Sequence, residues 1–137
     1  MHIEFIDLLR CPAYHEDSWL VAAVTKMEGR IVVEAKLGCP VCEASYVVRG
    51  GVALFDGNFS PDDDDSLSAD DPDTPMKLAA FLDLTRPGAL ALLAGDWTPA
   101  SSSVAGLTGG RIVSLNARRP SKELENVAEI RATGRIP

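Results

Sequence analysis

Residues 60 to 75 read Ser-Pro-Asp-Asp-Asp-Asp-Ser-Leu-Ser-Ala-Asp-Asp-Pro-Asp-Thr-Pro, with seven Asp and neither Lys nor Arg. Clustered like charges among Pro and Ser cannot bury enough apolar area to offset their ordering entropy. Such a tract cannot run through a hydrophobic core, so the chain is expected to fold in two pieces. The expected boundaries are a first domain over 1–57, a solvated linker over 58–75 and a second domain over 76–137. Asp62 to Asp65 offer carboxylates to Ca²⁺, but the run lacks the Gly turn and distal Glu of an EF-hand loop.

The tract also explains the charge. The chain carries 20 acidic and 13 basic residues, a formal net charge of -7. Setting the tract's seven Asp aside leaves 13 acids against 13 bases, so the remainder presents no basic field for phosphates. Direct nucleic-acid binding is not expected. The composition, 46% hydrophobic and 24% charged, is that of a soluble globular chain. No run reaches the ~18 to 20 apolar residues that span a bilayer, and Met1-His2-Ile3-Glu4 lacks a signal peptide's basic start. A cytoplasmic protein without membrane contact is expected.

Before the tract the pattern is β. Trp19 to Thr25 and Arg30 to Lys36 are rich in Val, Ile and Ala around a Glu28-Gly29 hairpin turn. Tyr46-Val47-Val48 and Val52 to Phe55 flank Gly50-Gly51, which marks a bend needing positive φ or close backbone approach. Ile3, Phe5, Ile6, Leu8 and Leu9 suit one helical turn leading into Cys11.

After the tract, helix and strand alternate. Thr74-Pro75 suits the N-cap and N1 of a helix with Leu78, Phe81 and Leu82 on one face, stopped by Arg86-Pro87-Gly88. Ala89 to Gly95 reads as a buried strand. Thr98-Pro99 opens a second helix through Val104 and Leu107, ended by Gly109-Gly110, and Arg111 to Asn116 is the next strand. A third unit reads as a helical turn at Lys122 to Asn126 and a strand at Val127 to Ala132. Short connections between such elements indicate parallel pairing. Parallel strands without polar alternation are normally covered on both faces, and two short helices cannot cover both faces of the strand at 89–94. The first domain, a second copy or another protein is expected there. The closing Gly134-Arg135-Ile136-Pro137, straight after a strand, suits an element completed by a partner.

The cysteines add chemistry. An odd count of three argues against a disulfide framework, and C-x-x-C in a reducing compartment points to metal or redox chemistry. Zinc takes four tetrahedral Cys or His ligands, and Cys39-Pro40-Val41-Cys42 presents two thiolates on one tight turn. Cys11 supplies a third from a segment that one hairpin brings back. The fourth position is open to His15, His2, a water or nothing, and C-x3-H from Cys11 favours His15. Two other readings stand beside this one. The three thiols can pack as small hydrophobes, with Tyr14 filling a ligand's space. A redox dithiol, by contrast, belongs at a helix N-terminus, whereas Glu43 to Val48 runs into a strand.

Leu8-Leu9-Arg10-Cys11-Pro12, a hairpin, Cys39-Pro40-Val41-Cys42, Tyr46-Val47-Val48 and Gly51-Val52-Ala53-Leu54 follow one another over residues 3 to 56. This series resembles the small zinc-ribbon-like family that includes the activator subunit of tRNA, rRNA and protein methyltransferases and its bacterial relatives. That family reads L-L-x-C-P-x-C and then C-x-x-C-x-x-x-Y-P-V-x-x-G-I-P-x-L. This chain departs at Tyr14 for a Cys, Val47 for a Pro and Ala53 for a second Pro. The resemblance implies a non-catalytic module that lends a strand edge and apolar surface to a methyltransferase, with a metal that bacterial members often lose.

Residues 76 to 137 resemble part of a Rossmann-type methyltransferase domain in the helix-Pro-Gly-strand of Leu82 to Ala94 and an R-x-P after a strand. A cofactor turn needs a Gly-rich loop after the first strand and a carboxylate at the end of the second. Gly95-Asp96-Trp97-Thr98 has one Gly, and Leu115-Asn116-Ala117-Arg118-Arg119 has no acid. S-adenosylmethionine binding is therefore not expected; were a ligand to bind, Asp96, Trp97, Asn116 and Arg118 at the strand ends would meet it. No catalytic residues are identified, because the second half lacks His and no Ser has a nucleophile-elbow context.

The expected fold is thus α+β: a small zinc-ribbon-like antiparallel β domain followed by a partial parallel α/β, half-Rossmann unit. The expected function is a non-enzymatic adaptor, activator or scaffold that partners a methyltransferase or self-associates. A degenerate methyltransferase-like domain holding S-adenosylmethionine or a nucleotide, and a purely structural metal-binding protein, are the alternatives. The metal is expected to be zinc, on Cys11, Cys39, Cys42 and His15.

Overall fold

The computed structural model describes residues 1–56, 71–117 and 125–133. The protein is a mixed α+β fold that divides into two compact units, Met1–Phe59 with Ile130–Pro137, and Ser60–Glu129. Most of the expected acidic linker, the helical turn expected from Lys122 and the closing Gly134 to Pro137 lie outside the described residues.

The first unit is antiparallel. Strands β1 (Val21–Glu28), β2 (Ile31–Gly38), β3 (Ser45–Arg49) and β4 (Val52–Leu54) follow a 3₁₀ helix at Ile3–Leu8 and hydrogen-bond in chain order. Gly29 turns the first hairpin with φ of 61°, as Glu28-Gly29 leads one to expect. Gly51 meets both demands read from Gly50-Gly51. Its φ is 79°, and a Cβ there would stand 2.7 Å from the backbone nitrogen of Met1. β2 is paired on both sides, by β1 and β3, and its Val32, Ala35 and Leu37 are buried, as are Phe5, Leu9, Val48 and Ala53. That core backs the turns on which the cysteines sit.

The second unit joins helix α1 (Thr74–Phe81), strand β5 (Leu90–Ala94), a 3₁₀ turn at Gly95–Ala100, helix α2 (Ser101–Thr108), β6 (Arg111–Leu115) and β7 (Val127–Arg131). β5 and β6 pair in parallel, Leu90 opposite Arg111 through Ala94 opposite Leu115. Gly109 caps α2 in the left-handed region at φ of 66°, and its amide donates to the Ala105 carbonyl. Leu84, Leu93, Val104, Ala105, Ile112 and Val127 form the core. β7 straddles the division: Val127 to Glu129 belong here, while Ile130 and Arg131 belong to the first unit, where the Arg131 carbonyl accepts the Phe55 amide.

Two expectations change. The strand at 89–94 is not buried on both faces: Leu93 is 4% exposed, but Leu90 and Leu92 are 46% and 43% exposed. Strands buried on both faces are instead β6, where Ile112 to Leu115 are all buried, and β7, where Val127 to Ile130 are. An unbroken apolar run marks a strand without saying whether it is central. Phe81 is not on the buried face of α1 either, being 88% exposed. The helix ends at Phe81, before Arg86-Pro87-Gly88, and Asp83 turns with φ of 50°. That turn puts Leu84, rather than Phe81, into the core.

Candidate metal centre

The first unit gathers Cys11, His15, Cys39 and Cys42. One ligand atom from each lies within 4.8 Å of the others. The segment 11–18 is a closed loop, because Arg10 bridges Trp19 across two antiparallel segments and the Cys11 amide donates to the Ser18 carbonyl at 2.9 Å. Arg10 braces the base, its guanidinium 4.2 Å over the Trp19 ring and 2.9 Å from Asp17. Within the loop, the His15 amide donates to the Ala13 carbonyl. The chain bends so that His15 faces inward while Tyr14 stands 97% exposed. Tyr14 therefore does not fill a missing ligand's space. Two adjacent residues on a tight bend point opposite ways, and the imidazole takes the inner position.

Cys39 to Cys42 form a knuckle between β2 and β3. The Glu43 amide donates to the Cys39 carbonyl at 3.0 Å and the Cys39 amide to the Ala44 carbonyl at 2.9 Å, with Glu43 itself at φ of 60°. The Val41 amide points at the Cys39 sulfur, 3.4 Å away. The turn runs into β3 rather than into a helix, so the thiols lack the helix N-terminus on which a thioredoxin-like dithiol depends.

Distances decide what the cluster can hold. With Zn–S near 2.3 Å and Zn–N near 2.0 Å, a tetrahedron has S···S edges of about 3.8 Å and S···N edges of about 3.5 Å. Cys11 Sγ lies 3.7 Å from Cys42 Sγ, and Cys39 Sγ lies 3.4 Å from His15 Nε2. Those two opposite edges match; the widest separation, at most 4.8 Å, needs side-chain closure of about 1 Å to reach the same edge. His15 Nδ1 faces the Glu16 carbonyl. A proton on Nδ1 donated to that oxygen leaves the Nε2 lone pair toward the sulfurs, the orientation of a metal-ligating imidazole.

Electrostatics point the same way. Burial works against the Cys11 thiolate, yet the Ala13 amide, the Tyr46 hydroxyl and the two neighbouring sulfurs lower its pKa on balance. At Cys39 burial is likewise outweighed, by the amides of Cys42 and Val41. At Cys42 the Ala44 amide pulls the pKa down, but burial and the Cys39 and Cys11 sulfurs push it up on balance. The pKa is thus lowered at two of the thiols and raised at the third, where the neighbouring sulfurs oppose a further negative charge. A divalent cation removes that conflict, since metal ligation requires the thiolate and neutralises its charge.

His2 is engaged elsewhere, its Nε2 accepting from Arg30 at 3.3 Å. Asp96 and Trp97 lie in the exposed turn after β5, and half-buried Asn116 follows β6 with φ of 55°; Arg118 lies outside the described residues. The residue that sequence reasoning passed over is Tyr46, whose Oη lies 3.6 Å from Cys11 Sγ. Its place four residues after Cys42 was visible, but its contact with a sulfur 35 positions away was not. No family model, curated protein or solved structure matches the chain. No helix among the described residues is long and apolar enough to cross a membrane.

Proposed function

We propose that this chain is a non-catalytic adaptor or activator whose first unit is organised by structural zinc on Cys11, His15, Cys39 and Cys42. The observation that carries the metal reading is the tetrahedral fit of the Cys11–Cys42 and Cys39–His15 edges. Three thiolates and a neutral imidazole close the coordination shell, which suits a structural site and leaves no open position for a substrate or water. The order of the motifs from Leu8 to Leu54, with its likeness to the methyltransferase activators, supports a methyltransferase as partner. Exposed Val21 and Val24 on β1, and Leu90 and Leu92 on β5, supply apolar strand surface of the kind an adaptor lends.

The test is elemental analysis of protein purified without chelator, alongside Cys39→Ser. We expect about one zinc per wild-type chain, as for a site that binds too tightly to lose its ion, and a large loss in the variant. Less than ~0.1 zinc per chain would sink the reading on the same ground. For the adaptor role, a chain that sediments as a monomer and co-purifies with no methyltransferase counts against it. A cofactor role for the second unit has one observation in its favour, the position of Asp96 and Asn116 after parallel strands. Its test is a thermal shift with S-adenosylmethionine at millimolar concentration.

A further inference from the structure

Three thiolates and one neutral imidazole leave a Zn²⁺ centre with a net charge of -1, and the protein must solvate that excess. The three sulfurs meet this need differently. Cys42 is exposed, so water reaches its sulfur. Cys39 is buried, but the Val41 amide donates to it from within the knuckle. Cys11, 4% exposed, is shut off from water, and within its own loop the Ala13 amide faces it. Facing its sulfur from another element, and from outside the ligand set, is the Tyr46 hydroxyl, at 3.6 Å.

We propose that Tyr46 is an outer-shell positioning residue of the metal centre: its hydroxyl donates to the Cys11 thiolate and thereby sets the affinity of the site. This rests on the zinc reading above. A metal-bound thiolate only accepts hydrogen bonds, so the direction is fixed with the phenol as donor. The ring is held for the task. Tyr46 pairs with Leu37 in the β2–β3 ladder, and its ring packs on Phe55 at a centroid distance of 4.8 Å and a tilt of 41°. The phenol therefore reaches the buried sulfur without first being ordered by the metal. Of the donors to the two buried sulfurs from outside the ligand set, it is the one a side-chain substitution can remove.

Tyr46→Phe deletes the oxygen and keeps the ring. The expected result is zinc binding weaker by about 10- to 100-fold, the usual cost of losing an outer-shell partner, measured by competition with a chromophoric chelator. With Co²⁺ as probe, the sulfur-to-cobalt charge-transfer band should move to lower energy as the sulfur loses its donor. In a Cys11→Ser background the same substitution should cost nothing, because the hydroxyl then has no thiolate to serve. Equal affinities and spectra for wild type and Tyr46→Phe, or an equal loss in both backgrounds, overturn the proposal while leaving the zinc reading standing. A wild-type chain that binds neither metal overturns both. If Tyr46→Phe does not fold, Tyr14→Phe protein grown with 3-fluorotyrosine keeps the ring and makes the remaining phenol a stronger donor. Its charge-transfer band should move to higher energy, and an unmoved band overturns the proposal.

Discussion

The two units are held by different means. In the second, Leu84, Leu93, Val104, Ala105, Ile112 and Val127 close a core under two helices of eight residues each. Helices so short are not stable alone and depend on that burial. In the first, the buried residues of β2 to β4 anchor a sheet, while the loop 11–18 and the knuckle 39–44 are closed by backbone hydrogen bonds and meet at the thiol cluster. Among the described residues, burial organises the second unit, whereas the cysteine end of the first carries a cluster that a metal would tie together. The chain offers a reporter for each, since Trp19 stands at the base of the cysteine loop and Trp97 in the turn after β5.

The largest expected effect is metal removal. Structural zinc supplies on the order of 10 kcal/mol in small metal-folded domains. Chelation, or Cys39→Ser, should therefore loosen the Trp19 environment and lower its unfolding midpoint, followed by fluorescence in a Trp97→Phe background. The Trp97 transition, followed in Trp19→Phe, should hold its midpoint. Equal shifts at both tryptophans would erase the distinction between the units. Next comes the reverse experiment. Ile112 is fully buried, and Ile112→Ala should cost about 2 to 5 kcal/mol in the Trp97 transition while leaving zinc content at its wild-type value. Loss of zinc in that variant would mean that the metal site draws on the second unit's core.

The grouping of Cys11, His15, Cys39 and Cys42 was legible in the sequence because short, stiff spacings bring side chains together: C-x-x-C puts two thiols on one turn, and C-x3-H places His15 on the loop of Cys11. Gly50-Gly51 was legible for a similar reason, since a local backbone demand restricts residue choice at one position. Contacts between distant segments were not. Nothing near Tyr46 shows that its hydroxyl meets Cys11, and nothing in Leu-Ala-Leu-Leu-Ala tells whether that strand or Arg111 to Leu115 takes the central place. The pairing of strands decides those matters, and pairing is a property of the whole chain.

Gly51 allows an intermediate test inside the first unit. Alanine there meets a φ of 79° and a backbone nitrogen 2.7 Å from its Cβ. The strain should cost about 1 to 3 kcal/mol in the Trp19 transition, with zinc stoichiometry kept, because the β3–β4 turn bears no ligand. If Gly51→Ala also empties the site, the cysteine turns depend on the sheet more closely than their own hydrogen bonds indicate.

The smallest expected effect concerns α1, where sequence pattern and structure part most plainly. Helical spacing groups Phe81 with Leu78 on the buried face, yet Phe81 is 88% exposed and Leu84 is 2% exposed. A phenylalanine in the core costs about 3 to 5 kcal/mol on truncation, whereas an exposed one away from special features changes stability by about 0.5 kcal/mol or less. Phe81→Ala should therefore leave the Trp97 midpoint almost unmoved, and Leu84→Ala should lower it by about 2 to 5 kcal/mol. The pair measures where the helix stops. Were Phe81→Ala the more damaging, α1 would continue past Leu82, the left-handed turn at Asp83 would be lost, and the second unit's core would be built on the helical face that the sequence pattern suggests.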